Sequence, residues 1–565
     1  MSSWHRGGTC HQQDAPANSL LQLPADQADL PVDDPSEDAT ARPEDALPIA
    51  AHLRRRIMKE GEALVREEFP DLDRAMSLLR LRQLGETVMP EFHAEPYIYL
   101  AGLTHKAALI AWGAFYFRIR GSIDDGQLKL VDDHDLEHIH PPRHQTIGAS
   151  SEPYGEATVE VRHAATNEIV NVVRTSTTNH ILVTGLMPDT EYVYKITING
   201  EVWAAGERRD WVAADDGTQG LRPSGRSYTN RFRTHPHLEI AAPLRFAVLG
   251  DYGTGVRKPS NSTRRQREVA LALEQAVNET NVRLILTTGD NIYAAQTLLG
   301  LPVGDTGDED DDWFFTFYQP YRYIINRVPV YPCVGNHDTG ETERSDDRTQ
   351  LLDNFYLNER FAGEEAAGRA SFDPGLFYRF RYGADIEFLC VDTSKQSLLS
   401  GDRLFKHEKH LQFLEQSLPA IDGTPSTGPV WRIPFMHHPP YTAGPTHHNS
   451  RSILDTLVPL FKRSGVQVVL SGHEHNFQHA RMDGIDYFIT GAGSKITLNA
   501  PTRFTEAHTV AWAAAGHFLL IEINHAQMTI RPMAELVTGN PLSEVVLRDA
   551  AHQPVTTPIV IARTG

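Results

Sequence analysis

The chain has 565 residues, more than one compact core usually holds, so two or three domains are expected. Its formal net charge of −20, from 53 Lys and Arg against 73 Asp and Glu, argues against a protein that grips nucleic acid or anionic membrane over a broad surface. An anionic substrate would need a local positive centre, which metal ions supply.

Residues 1–46 are rich in Asp, Pro, Ala, Gln and Ser and poor in aromatic residues, so burial cannot offset their chain entropy; a disordered acidic arm is expected. Between 47 and 87, Leu53, Ile57, Leu64, Val65, Leu72, Met76 and Leu79 recur at helical spacing among charges, predicting two amphipathic helices docked on a larger body. From 88 to 236 the texture changes to short apolar runs, including Tyr97 to Leu100, Ala107 to Trp112, Ala157 to Val161, Ile181 to Val183 and Tyr192 to Ile198. Turn-forming residues separate them, the pattern of an antiparallel β-sandwich.

Over 240–535, compact apolar runs at Arg245 to Leu249, Val282 to Thr287, Val328 to Val334, Ile386 to Val391, Arg432 to Met436 and Val466 to Leu470 alternate with helical patterns such as Val269, Leu273, Ala276 and Val277. A layered α/β core follows. Tyr487 to Thr490, His517 to Ile523 and Met528 to Arg531 read as closing strands, and residues 536–565 as an irregular tail. The three cysteines, Cys10, Cys333 and Cys390, are too few and too scattered for a disulfide framework or a zinc site, and are expected to be idle thiols. The first residues lack an uninterrupted apolar stretch, and no segment approaches the roughly 20 apolar residues of a membrane span. Together with the scarcity of cysteine, this predicts a cytoplasmic protein.

Polar clusters stand at the ends of five predicted strands: Gly250-Asp251-Tyr252-Gly253, Gly289-Asp290-Asn291-Ile292-Tyr293, Gly335-Asn336-His337-Asp338, His437-His438-Pro439 and Gly472-His473-Glu474-His475. Each alone is an ordinary turn or cap. Five together, each carrying a residue with ligand chemistry at one rim of a sheet, are hard to produce by packing alone.

These motifs and their order resemble the calcineurin-like metallophosphoesterases, and within them the purple acid phosphatases, over roughly residues 244–531. The stretch from Gly185 to Tyr194, with Phe232-Arg233-Thr234, resembles the corner and last strand of fibronectin type III domains, which precede the catalytic domain in plant-type members. The resemblance implies a multidomain fold: a fibronectin III-like antiparallel β-sandwich, then a layered α/β metallophosphoesterase domain with a β-sandwich core flanked by helices. Most metallophosphoesterases begin Asp-x-His, whereas position 253 here is Gly and Tyr293 stands in the second motif, the exchange seen in purple acid phosphatases. An anionic phenolate favours Fe(III) more than imidazole does.

The family pattern implies one metal held by Asp251, Asp290, Tyr293 and His475 and a second by Asp290, Asn336, His437 and His473. Fe(III) is expected at the Tyr293 site and Fe(II), Zn(II) or Mn(II) at the other. Two ions about 3.5 to 4 Å apart activate water and clamp an in-line displacement, so a metal-bound hydroxide is the expected nucleophile on a small phosphorylated substrate. Asn336 and His337 are expected beside the phosphoryl group. His448 is the expected substrate-side acid with His447 as its alternative, and His479 a supporting residue behind the ligands. Phosphomonoester hydrolysis leads; phosphodiester hydrolysis on the same metals, or a binding protein with a retired catalytic domain, are the alternatives. The acidic stretch Asp305 to Asp312 lacks EF-hand spacing and reads as a solvated loop.

Overall fold

The strands Phe92–Leu103 and Ala107–Arg120 carry apolar residues at consecutive positions, the pattern of a sheet covered on both faces. In the computed structural model both faces are indeed covered. It describes residues 92–120, 127–130, 148–213, 219–293, 295–298, 301–305, 313–338, 349–360, 377–394, 408–421, 430–537 and 539–563. The expected acidic arm (1–46), helical segment (47–87) and most of the acidic loop (306–312) lie outside the described residues, all of which belong to a single compact unit.

The two strands pair antiparallel, with Ile98 opposite Trp112 and Leu100 opposite Ile110. These even-numbered residues face a core closed by Val159, Val161, Tyr194 and Ile196. Those come from an opposing antiparallel sheet, in the order Arg231–Arg233, Glu191–Ile198, Ala157–His163, Ile169–Thr175. The expected sandwich is therefore present, and at its corner the Met187 amide donates to the Tyr192 hydroxyl at 2.8 Å. The odd-numbered Tyr97, Tyr99, Phe115 and Phe117 turn the other way and join the larger core of the chain. Glu95 and Arg322, each 2% exposed, form an ion pair of 2.5 Å across the same boundary.

That larger core lies between two further sheets. One runs Val330–Tyr331, Ile285–Thr287, Leu244–Leu249, His517–Ile523, Gln527–Ala534, Ile559–Ala562, its first three strands mutually parallel. The other begins Tyr378–Tyr382, Ile386–Val391, Trp431–Met436, Val468–Ser471, Ile485–Thr490, with parallel pairing from the second strand through the fifth. Phe246 of one sheet meets Phe388 of the other edge to face, 5.2 Å between ring centroids. The helix Asn261–Thr280, opened by the Ser260 side chain accepting from the Thr263 amide, buries Val269, Leu273 and Ala276.

Residues 536–565 correct the expectation of an irregular tail. Ile559–Ala562 adds the outermost strand of the first sheet, with Ile561 opposite Met528. Ile559 and Ile561 are buried while their neighbours are exposed, an alternation too short to stand out in sequence. Cys333 and Cys390 are buried free thiols. Among the described residues no helix is long and apolar enough to cross a membrane.

Candidate metal centre

All five polar clusters follow observed strands, and parallel pairing within each sheet carries their chain ends to one rim. Asp251, Asp290 and His473 have φ of 53°, 51° and 71°, left-handed conformations that ordinary side chains avoid. Such strain costs of order 1–3 kcal/mol per residue and persists where surrounding bonds fix it. Here the Asp251 amide donates to Gly289 O at 3.1 Å and the Gly253 amide to Asp290 O at 3.2 Å, tying the first two motifs together.

Gly253 and Tyr293 depend on each other. The Tyr293 amide donates to Gly253 O at 2.8 Å, and a Cβ at position 253 would fall inside the backbone of Asn291 and Ile292. The residue that carries imidazole in most metallophosphoesterase motifs has no room for a side chain here, because the loop bearing Tyr293 occupies that space. Asp338 secures the loop from the other side: its carboxylate accepts from the Asn291 amide at 2.8 Å, the Asn291 side chain at 2.8 Å and the Gly335 amide at 2.7 Å.

Two groups of donor atoms result. In the first, Asp251, Asp290 and His475 present atoms within 4.8 Å of one another, and the Tyr293 hydroxyl lies 3.3 Å from both Asp251 Oδ1 and His475 Nε2. In the second, His437 Nε2 lies 2.8 Å from Asn336 Oδ1, 3.1 Å from His473 Nδ1 and 3.3 Å from Asp290 Oδ1. His437 Nδ1 lies 2.8 Å from the carbonyl of Thr288, an acceptor only, so its proton sits there and Nε2 turns a lone pair inward. Nitrogen and oxygen donor atoms of Asn336, His473 and Asp290 thus lie within 3.3 Å of His437 Nε2, an arrangement that fits a cation. Asp290 touches both groups.

The electrostatics agree. Burial first, then the charge of Asp290, pushes Asp251 well above the ordinary carboxylate range. Burial opposes ionisation of Asp290 too, but His437, His337 and the His337 amide outweigh it and hold the carboxyl low. Burial, Asp290 and Asp251 hold the Tyr293 phenol well above its usual value, and burial leads in lowering His437, His473 and His475 below the usual imidazole range. A bound cation would favour phenolate and carboxylate together, reversing these oppositions.

Around the centre, the His337 amide donates to Asp290 Oδ1 at 3.0 Å and the His337 ring lies 4.6 Å from that of Tyr293. Of the two adjacent histidines, His447 is the one brought inward: its ring stacks on His473 at 3.7 Å, whereas His448 is exposed. His479 bonds Asp486 at 2.6 Å and stacks on Phe488, away from the ligand atoms.

Three neighbours were not anticipated. His438, given no role in the sequence, groups with His437 and His473 within 4.8 Å and is held by Thr393 Oγ1 at 3.1 Å. Asp392, Thr393 and Ser394 form a sixth strand-end cluster, whose polar run after Val391 was a visible signal. Lys495 places Nζ 3.7 Å from the centroid of the Tyr293 ring and had no sequence signal of its own.

A family model for the calcineurin-like phosphoesterases matches residues 244–477. The chain is 26% identical over 329 residues to tartrate-resistant acid phosphatase type 5 of Oryctolagus cuniculus, covering 53% of this chain and 90% of that one. It is 24% identical over 307 residues to purple acid phosphatase 3 of Arabidopsis thaliana, covering 50% and 73%. The solved structure of PhoD is similar in fold, with a TM-score of 0.50 at 13% identity over 83% of this chain and 94% of that one.

Proposed function

Taking the chain as a metallophosphoesterase of the purple acid phosphatase-like kind, we propose that it hydrolyses phosphomonoesters at a pair of metal ions. Asp251, Asp290, Tyr293 and His475 would hold Fe(III), and Asp290, Asn336, His437 and His473 a divalent Fe, Zn or Mn ion. The hard carboxylate and phenolate donors suit the trivalent ion, and the imidazoles suit the divalent one. Bound there, the ions supply water activation and charge neutralisation for phosphoryl transfer.

The chain's own residues do the rest. Asn336 and His337 orient the phosphoryl group, with His337 anchored through its amide to Asp290. His447 gives a proton to the leaving oxygen, an assignment supported by its place over His473, and His448 is its outer alternative. The sandwich is read as fibronectin III-like, supported by the hydrogen bond of Tyr192 at its corner.

The observation that carries the reading is the coupling of Gly253 to Tyr293. A visible absorption spectrum of the purified protein should show a tyrosinate-to-Fe(III) charge-transfer band that Tyr293→Phe abolishes. A colourless, active enzyme containing only divalent ions would refute the iron assignment. Faster turnover of an aryl phosphate than of its bis-aryl diester is the expected specificity, and a strong diester preference would refute the substrate class.

A further inference from the structure

Between the proposed ligands His473 and His475 stands Glu474, a carboxylate with no exposed surface. Its partners are backbone amides: Oε1 accepts from Thr446 at 3.2 Å and Oε2 from His447 at 2.8 Å. Alternate residues continue the pattern. Asn476 and Gln478 both donate to Gly444 O, at 3.2 and 3.0 Å, and Gln478 also accepts from the Ala443 amide at 2.8 Å. A bond of 2.9 Å from Gln478 to Asn476 links the two side chains. All three residues are at most 1% exposed.

Buried polar side chains at this density need a reason, because an unmatched one is costly. Here they satisfy a loop whose residues 443–447 belong to no strand or helix, so its amides and carbonyls have no ladder to join. The outcome is a defined position for His447. Its ring lies 3.7 Å from that of His473 at 29°, and its Nδ1 is 3.2 Å from Glu474 Oε2. Arg503 donates to the His447 carbonyl from the far side. His448, one residue on, is exposed.

We propose that Glu474, Asn476 and Gln478 are positioning residues that hold the 443–447 backbone so that His447, rather than His448, faces the substrate. This rests on the proposed role of His447, but its first test does not. Amide hydrogen exchange on the metal-loaded protein should show Thr446 and His447 exchanging roughly tenfold faster or more in Glu474→Gln, which sets a donor against an amide. Unchanged exchange would overturn the proposal.

The second test is kinetic. With an alkyl phosphate, whose leaving group needs a proton, Glu474→Gln should lower kcat/KM roughly 10- to 100-fold. With p-nitrophenyl phosphate the loss should be under about threefold, because that leaving group departs as an anion. In a His447→Ala background the same substitution should change kcat by less than about twofold. A loss equal for both leaving groups, or one that multiplies with His447→Ala, overturns the proposal. Gln478→Leu, beyond the last ligand, repeats the kinetic test, with faster exchange read at the Ala443 amide that Gln478 holds, and decides the matter if Glu474→Gln fails to fold or retain metal. If His447→Ala alone hydrolyses the alkyl phosphate like the wild type while the Glu474→Gln amides are freed, the role of His447 fails and the positioning stands.

Discussion

At the scale of single residues, glycine at position 253 has a steric cause. A methyl group there would meet backbone atoms of Asn291 and Ile292, which cannot rotate away as a side chain could. Gly253→Ala is therefore expected to cost about 1–3 kcal/mol, the usual range for overpacking, and to displace Tyr293. Thermal unfolding and the metal content of the purified variant check this; a wild-type midpoint with full metal occupancy would contradict it. The pairing of Gly253 with Tyr293 was legible in the sequence because both lie in short motifs at strand ends. The choice between His447 and His448 was not, because it is made by Glu474, Asn476 and Gln478, roughly 30 positions later. Lys495 escaped for a similar reason. Its loop is held by hydrogen bonds from Ser494 to Asp251 O at 3.1 Å and from Thr497 to His475 O at 2.8 Å, which join distant parts of the chain.

Among the elements, the hairpin formed by Phe92–Leu103 and Ala107–Arg120 is the one whose use the sequence understated. Its short apolar runs fitted an antiparallel sandwich and led to a domain boundary near residue 236. The same runs lack the alternation of a sheet with one wet face, and Tyr97, Tyr99, Phe115 and Phe117 pack into the core that underlies the metal centre. The Tyr97 hydroxyl bonds that of Tyr356 at 3.0 Å, and its ring lies 4.2 Å from that of Tyr318. A strand shared in this way should make its two cores unfold together. Ile98→Ala, on the sandwich face, and Tyr99→Ala, on the other, are each expected to cost about 2–5 kcal/mol and to lower one common midpoint. Calorimetry that resolved two transitions, only one of them shifted by each substitution, would show that the cores are independent. By contrast, the strands Leu244–Leu249, Ile285–Thr287 and Trp431–Met436 were located closely from sequence, because unbroken apolar runs ended by Gly-Asp or His-His mark both the strand and its edge.

For the whole molecule, two buried histidines outside the metal centre limit how far the fold tolerates acid. Burial, followed by the nearby charges of Arg283 and His105, holds His235 down to about 3. Burial holds His517 down to about 4, against a smaller opposing effect of its bond to Ala515 O. Both are neutral in the folded state at pH values where an unfolded histidine, with a pKa near 6.5, is already charged. Their stabilising effect is thus complete above about pH 6.5 and is lost as pH falls toward each folded value. Each is worth about 3 kcal/mol by pH 4. Glu387 acts in the opposite sense, since burial raises its carboxyl and acid relieves that penalty. The histidines lie in separate places: His235 donates its amide to Thr104 O beside the sandwich, and His517 shares a hydrogen bond with Thr490 within the layered core. The unfolding midpoint of the metal-loaded protein should therefore fall between pH 6.5 and 4, and His517→Gln should flatten that fall by removing up to one proton of uptake on unfolding. If the pH slopes of wild type and His517→Gln coincide over that interval, with metal content equal in both, the buried neutral imidazole is not what limits acid stability.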